Sequence, residues 1–258
     1  HAVEPLRSGA FISAEAASVA ASWAAEAEAQ RWAEASARVA AAAGAAGLEV
    51  PLTALRGETV SDTLRHAGTA DLVVLSQRNP AQPDGAQRHF VERLLVGSGT
   101  PLLFVPHVDT LPLQTDGAPR CGQRVLVAWS PSRETVRALR DALPLLAAAS
   151  RVELIRFAPA TEATPEPLEP VLAHLQRHGI AATATVRHTP APSLGERLLS
   201  TWTVDVPIAE ALLSHAADTD ADLLVMGGYG HPRAWELTLG GVTRTMLQTM
   251  TLPVLMSH

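Results

Sequence analysis

One pattern occurs twice in this chain and constrains its fold more than any other feature. An Ala-Asp pair opens a short aliphatic run, a helical stretch follows, and a proline leads into a second aliphatic run. The first copy extends from Ala70 to His107 and the second from Ala221 to His258. Asp71 and Pro101 stand 30 positions apart, Asp222 and Pro253 31 apart, so the copies agree in length as well as order. Recurrence of this kind points to duplication. Aliphatic runs without alternation are buried strands, and a helix between two of them makes the strands parallel. The chain is therefore bound to an α/β fold whose sheet is covered on both faces.

The rest of the sequence extends that reading. Ile12 to Ala43 is rich in Ala, Glu, Gln and Arg, which favours a long helix, with Gly44 and Gly47 to end it. LEVPLTAL is a short strand candidate, and a helix is expected from Val60 to Ala67. Asp71 to Ser76 reads as a buried strand, Arg78 to Arg88 as a polar loop, Phe90 to Val96 as a helix and PLLFVP as another strand. Asp109 to Gly122, with two prolines and two glycines, reads as a linker. Beyond it the pattern restarts. Strands are expected at RVLVAWS, VELIRFA, IAATATVRH, DLLVMG and PVLMS. Helices are expected over Arg133 to Ala149 with a kink at Pro144, and over Val171 to His178, Ile208 to Ala217 and Thr243 to Met250. LGERLLSTW is a candidate for an inserted helical turn.

The fold expected is two tandem doubly wound parallel five-stranded sheet domains of Rossmann-like type. Residues 1–108 form the first and 123–258 the second, with 109–122 as linker. The first lacks the strand and helix with which the second begins, and most of its second strand. In a sheet ordered 3-2-1-4-5 the first strand is central, and its loss would expose apolar edges. A segment upstream of His1 is therefore expected in the natural protein.

Composition narrows the function. The 258 residues are 47% hydrophobic and 18% charged, enough for a core, and the net charge of −6 argues against a nucleic-acid surface. The single cysteine, Cys121, excludes an intrachain disulfide and fits a reducing compartment. No apolar run reaches the ~20 residues that cross a bilayer, and no secretory leader opens the chain. A cytoplasmic protein with no nucleic-acid and no membrane partner is expected.

The second copy of the repeat carries the chemistry. Met226-Gly227-Gly228-Tyr229-Gly230 leaves a strand at its carboxyl end, where open α/β sheets hold ligands. Gly227 and Gly230 can adopt positive φ and let a phosphate approach the backbone. Gly240 and Gly241 open the next helix. Their amides, with those of Val242 and Thr243, lack intrahelical partners and suit an anion. Thr243 adds a hydroxyl, and His231 and Arg233 add positive charge. The competing reading is a tight loop that only reverses the chain. In the first copy Ser76-Gln77-Arg78-Asn79 replaces the glycine turn, so no nucleotide is expected there.

This segment resembles the signature of the universal stress protein family: glycine, two residues, glycine, nine residues, glycine, then serine or threonine. Gly227, Gly230 and Gly240 match it, and Gly241 departs from the final position. The resemblance covers the whole second domain and the back of the first, and is to the tandem-domain bacterial type. It implies a five-stranded parallel sheet, dimerisation through the last strand (here Pro253 to Met256) and, in some members, ATP binding. In binders an Asp at the end of the first strand holds the adenosine. The matching stretch here is Ala128-Trp129-Ser130-Pro131-Ser132, with Ser130 where Asp is expected, which removes a charge-assisted bond. The cofactor site implied comprises Ala128, Ser130, Met226, Gly227, Gly230, His231, Gly240, Gly241, Val242 and Thr243, for ATP with Mg in the second domain only.

Other chemistry finds little support. His174 and His178 are four apart on a helix, a metal pair or a solvated face, with no third ligand at matching spacing. No nucleophile–base pair or phosphate-loop lysine motif is present, so no catalytic residue and no metal ligand is assigned. Three functions remain: a regulatory stress-response protein that senses ATP, a nucleotide-free interaction protein whose halves pair with each other or with a second chain, and a weak ATPase.

Overall fold

The structure is a computed structural model that describes residues 14–53, 59–77, 85–107, 113, 117, 120–159, 167–189, 205–228 and 241–258. The inserted turn expected at LGERLLSTW, most of the linker, and Gly230, His231 and Gly240 lie outside these residues. The chain forms two compact units, His1–Gly57 and Glu58–His258.

Among the described residues the first unit holds one helix, α1 (Ala14–Ala45). It ends where Gly47 takes φ +67° and the Leu48 amide reaches back to the Ala43 carbonyl at 2.9 Å, a left-handed cap open to glycine. The strand expected at LEVPLTAL does not form over 48–53, which joins no ladder.

The second unit is built on one sheet. Its elements are α2 (Thr59–Ala67), β1 (Val73–Ser76), α3 (Gly85–Gly97), β2 (Leu102–Val105) and β3 (Arg124–Trp129). Then come α4 (Arg133–Asp141), α5 (Leu143–Ala148), β4 (Arg151–Pro159), α6 (Glu169–Arg177), β5 (Ala182–Thr189), α7 (Asp205–Asp218), β6 (Leu223–Gly227), α8 (Gly241–Thr249) and β7 (Val254–Ser257). The helix expected over Arg133 to Ala149 is two helices that meet at Ala142, with Pro144 inside the first turn of the second, where its missing N–H costs nothing. Helix α3 begins at Gly85, inside the stretch expected to be loop.

The seven strands are ordered β1-β2-β7-β6-β3-β4-β5. Strands β3 to β7 reproduce the 3-2-1-4-5 order and are parallel. In place of two five-stranded sheets there is one sheet of seven. The first copy supplies only two strands to it, too few to form a stable layer alone. They join the second copy through an antiparallel pairing of β2 with β7. Leu103 faces Leu255, with Leu102 opposite Met256 and Phe104 opposite Val254. The repeat matches Pro101 with Pro253, so Leu103 faces its own counterpart and the flanking pairs exchange. A local two-fold relates the copies. This is the pairing of the two halves within one chain, one of the arrangements expected, and it places β6 and β2 on the two edges of β7.

Two apolar layers flank the sheet. Leu126, Ile155, Leu224, Met226, Val254 and Met256 point to one face, where they pack with Leu94, Leu95, Leu212 and Met246 from α3, α7 and α8. Val125, Val127, Leu154, Val225 and Leu255 point to the other, against Ala138, Leu139, Leu146 and Leu175 from α4, α5 and α6. Strand β1 was expected to be buried; as an edge strand it alternates, and Val74 is 58% exposed.

Asp222 explains the Ala-Asp that opens the second copy. It is fully buried, accepts from the Arg124 amide at 3.0 Å and pairs with Arg120 at 2.8 Å, tying the start of β6 to the start of β3. The neighbouring Asp220 is held below the usual carboxylate range by a hydrogen bond from Arg120, against a smaller desolvation effect.

Candidate functional site

The crevice that the strand order predicts lies between β3 and β6. From β3 the chain turns to β4 on one side, and from β6 to β7 on the other, so the carboxyl ends of these two strands part their connections. Ala128 and Met226 pair across this point. Ala128 and Met226 face the same apolar layer and Trp129 packs into the other, so all three are walls before they are contacts.

Beyond β3 three hydroxyls gather. Ser132 caps α4 by accepting from the Thr135 amide at 3.2 Å. Ser130 Oγ lies 2.9 Å from Thr135 Oγ1 and 3.4 Å from Ser132 Oγ. Thr135 is buried, whereas Ser130 is exposed. Ser130 thus reaches the crevice already bonded on one side, with hydroxyl capacity left for a ligand. Thr135 was not foreseen. The Ser-x-x-Thr spacing at 132–135 is the signal that could have revealed it.

The two glycines that end β6 have partners inside the protein. Gly227 remains in the ladder opposite Ser257 and does not adopt positive φ, contrary to expectation. It is glycine because the first turn of α4 lies against it. An added Cβ would stand 2.7 Å from the Thr135 nitrogen and 2.9 Å from the Glu134 carbonyl carbon. At Gly228 an added Cβ would stand 2.8 Å from a Leu95 methyl on α3. The local two-fold explains the first copy. Ser76 occupies the place of Gly227, and its side chain is exposed, with no helix like α4 against it among the described residues. Gln77 occupies the place of Gly228. It is buried, donates to the Leu247 carbonyl of α8 at 3.1 Å and accepts from the His107 amide at 2.9 Å. Leu247 is the counterpart of Leu95, so each copy lays its last helix over the turn of the other.

Helix α8 begins at Gly241, as expected. Gly241 and Thr243 are buried in its first turn and Val242 packs on the core. Amides of a helix's first turn lack intrahelical partners, which is the chemistry that suits an anion. Nearby, Ser257 donates to Asp141 at 2.8 Å, and Arg137 of α4 donates to the Gly99 carbonyl, which links the two copies again.

His174 and His178 stack edge to face with centroids 4.9 Å apart. Desolvation, His178, Arg177 and Arg140 all lower the His174 pKa. Their surroundings are cationic, which suits a solvated face and not a cation site.

Fold and crevice together define an open, doubly wound α/β protein of the type that holds ligands at a topological switch point. The sequence pattern of the Universal stress protein family matches residues 122–258, and the chain belongs to that family. A universal stress protein from Archaeoglobus fulgidus is similar in structure, with 17% identity and a TM-score of 0.60, over 88% of this chain and 76% of that one. A second structure from Archaeoglobus fulgidus, also a universal stress protein, has 17% identity and a TM-score of 0.38, over 51% of this chain and 96% of that one. A universal stress protein crystallised in complex with cAMP has 19% identity and a TM-score of 0.34, over 53% and 97%. The first of these likenesses, at 17% identity, is one of fold. No curated protein matches the chain. Among the described residues no helix is long and apolar enough to cross a membrane.

Proposed function

We propose that this chain is a regulatory stress-response protein of the cytoplasm whose second domain, residues 123–258, binds one adenine nucleotide, ATP with Mg. The observation that carries the reading is the switch point between β3 and β6, with exposed Ser130 at one strand end and the Gly227-Gly228 exit at the other. The residues fit the nucleotide in part. Ser130 offers a hydroxyl to a ribose, and the first-turn amides of α8 offer N–H groups to phosphate. Mg comes with the nucleotide, held by phosphate oxygens and water. Gly227 contributes shape by admitting α4 and no cradle of its own. Gly230, His231 and Gly240, outside the described residues, complete the phosphate side in this reading. In this reading residues 1–108 are the first domain, whose strand β2 covers one edge of β7, and 109–122 is the linker.

A second reading, a nucleotide-free interaction protein, is favoured by one specific observation: protein atoms already fill the space beside both Gly227 and Gly228. Mass spectrometry of small molecules released from natively purified protein separates the two. The nucleotide reading expects adenine nucleotide from the wild type and none from Gly230→Val. Protein free of nucleotide in both cases supports the second reading. Phosphate release above a no-protein control, lost on His231→Ala, would instead make the chain a weak ATPase.

A further inference from the structure

Three side chains from three elements meet on one face of the sheet, over β4 and β5. Glu153 on β4 and His215 on α7 are 7% and 8% exposed. Glu153 Oε1 lies 2.9 Å from His215 Nε2 and accepts from Thr185 Oγ1 at 2.9 Å, while Oε2 is 3.4 Å from Arg151. On the other side of the ring, His215 Nδ1 is 3.0 Å from the Arg187 guanidinium on β5. Arginine only donates, so Nδ1 must accept. The ring's single N–H therefore sits on Nε2 and donates to Glu153, and the imidazole in this arrangement is neutral.

A second proton can enter only at Nδ1, where it would meet the guanidinium N–H groups. Protonation strengthens the Glu153 bond, which becomes charge-assisted on both sides, and turns the Arg187 contact repulsive. Glu153 is fixed by burial and by its other partners. Arg187 is exposed and lies on β5, an edge strand. We propose that His215 is a proton-operated latch: neutral, it holds Arg187 and the end of β5 to α7, and protonated, it releases them.

The charged groups around the ring agree with this assignment. β4 brings Arg151 and Glu153, and β5 brings Arg187, while His188 next to it points to the opposite face of the sheet. β3 brings Arg124, which with Thr219 lines a cavity of about 10 Å³ beside Glu153. α8 carries one charged residue, Arg244, and α7 itself carries Asp205, Glu210 and Asp218. Burial alone would raise the Glu153 carboxyl, but hydrogen bonds from His215 and Thr185 hold it below the usual range.

The test is amide hydrogen exchange on the full chain at about pH 7.5 and pH 5, either side of histidine titration. In the wild type, protection along Ala182–Thr189 is expected to fall about tenfold more than protection along β3, the loss of one hydrogen bond to a charged group. His215→Gln can donate to Glu153 and accept from Arg187 but takes no proton, and should show no such fall. Equal behaviour of the two proteins, or no fall in the wild type, overturns the proposal. If the variant does not fold, imidazole nitrogen NMR of the wild type decides: Nε2–H at pH 7.5 is expected, and an Nδ1–H tautomer overturns it.

Discussion

Replacing Gly227 by Ala tests whether this glycine exists for packing. The new methyl would lie 2.7 Å from the Thr135 nitrogen and 2.9 Å from two atoms of Glu134. Ordinary contacts begin near ~3.5 Å, so the first turn of α4 must retreat by most of an ångström. That turn is pinned by the Ser132 cap and by buried Ala138 and Leu139 behind it. Overpacking of this kind costs about 1–3 kcal/mol. Because Gly227 does not use positive φ, alanine recovers about 0.4–1 kcal/mol from the unfolded chain. The net loss is about 1.3 kcal/mol, or roughly 3–5 °C in Tm for a unit of this size. Ser76→Ala is the internal control, since the equivalent position faces no helix; it should shift stability by less than about 0.5 kcal/mol. Urea unfolding of the ligand-free protein measures both. Gly227→Ala as stable as the wild type, or Ser76→Ala equally damaging, would refute the packing account and return Gly227 to a ligand role.

Three further outcomes follow from the geometry. Gln77→Ala strands the Leu247 carbonyl and the His107 amide and should lower urea stability by about 1–3 kcal/mol, since both lie at the junction of the copies. Asp222→Ala leaves Arg120 and the Arg124 amide without their buried acceptor and should cost about 3–5 kcal/mol in the same assay. The Glu153 carboxyl is depressed in the folded state, so its contribution is fully present above the ordinary glutamate range near ~4.3 and is lost as pH falls through the lower folded value. Glu153→Gln should therefore reduce stability at pH 7 and flatten its decline in acid, measured as Tm against pH.

The sequence made the alternation of elements plain because apolar runs and breakers are local signals. RVLVAWS, VELIRFA and DLLVMG became strands close to where they were expected, and Gly47 ended α1. What failed depended on neighbours distant in sequence. Nothing within LVVLS tells that β1 has one strand beside it, so its exposed Val74 was missed. Nothing within LEVPLTAL tells that no partner strand awaits it. The antiparallel junction of β2 and β7 is a property of two strands 150 residues apart in order, visible only once both are placed. At the site, the packing role of Gly227 was not legible, because α4 arrives from nearly a hundred residues upstream. Glu153, Arg187 and His215 escaped notice for the same reason: each is an ordinary polar residue on its own element.

The most direct test of the functional account is titration calorimetry of the full chain with Mg-ATP. The account predicts saturable heat with one nucleotide per chain, lost in Gly230→Val while its urea unfolding stays close to the wild type. No heat at millimolar Mg-ATP, or a stoichiometry of two, would contradict it.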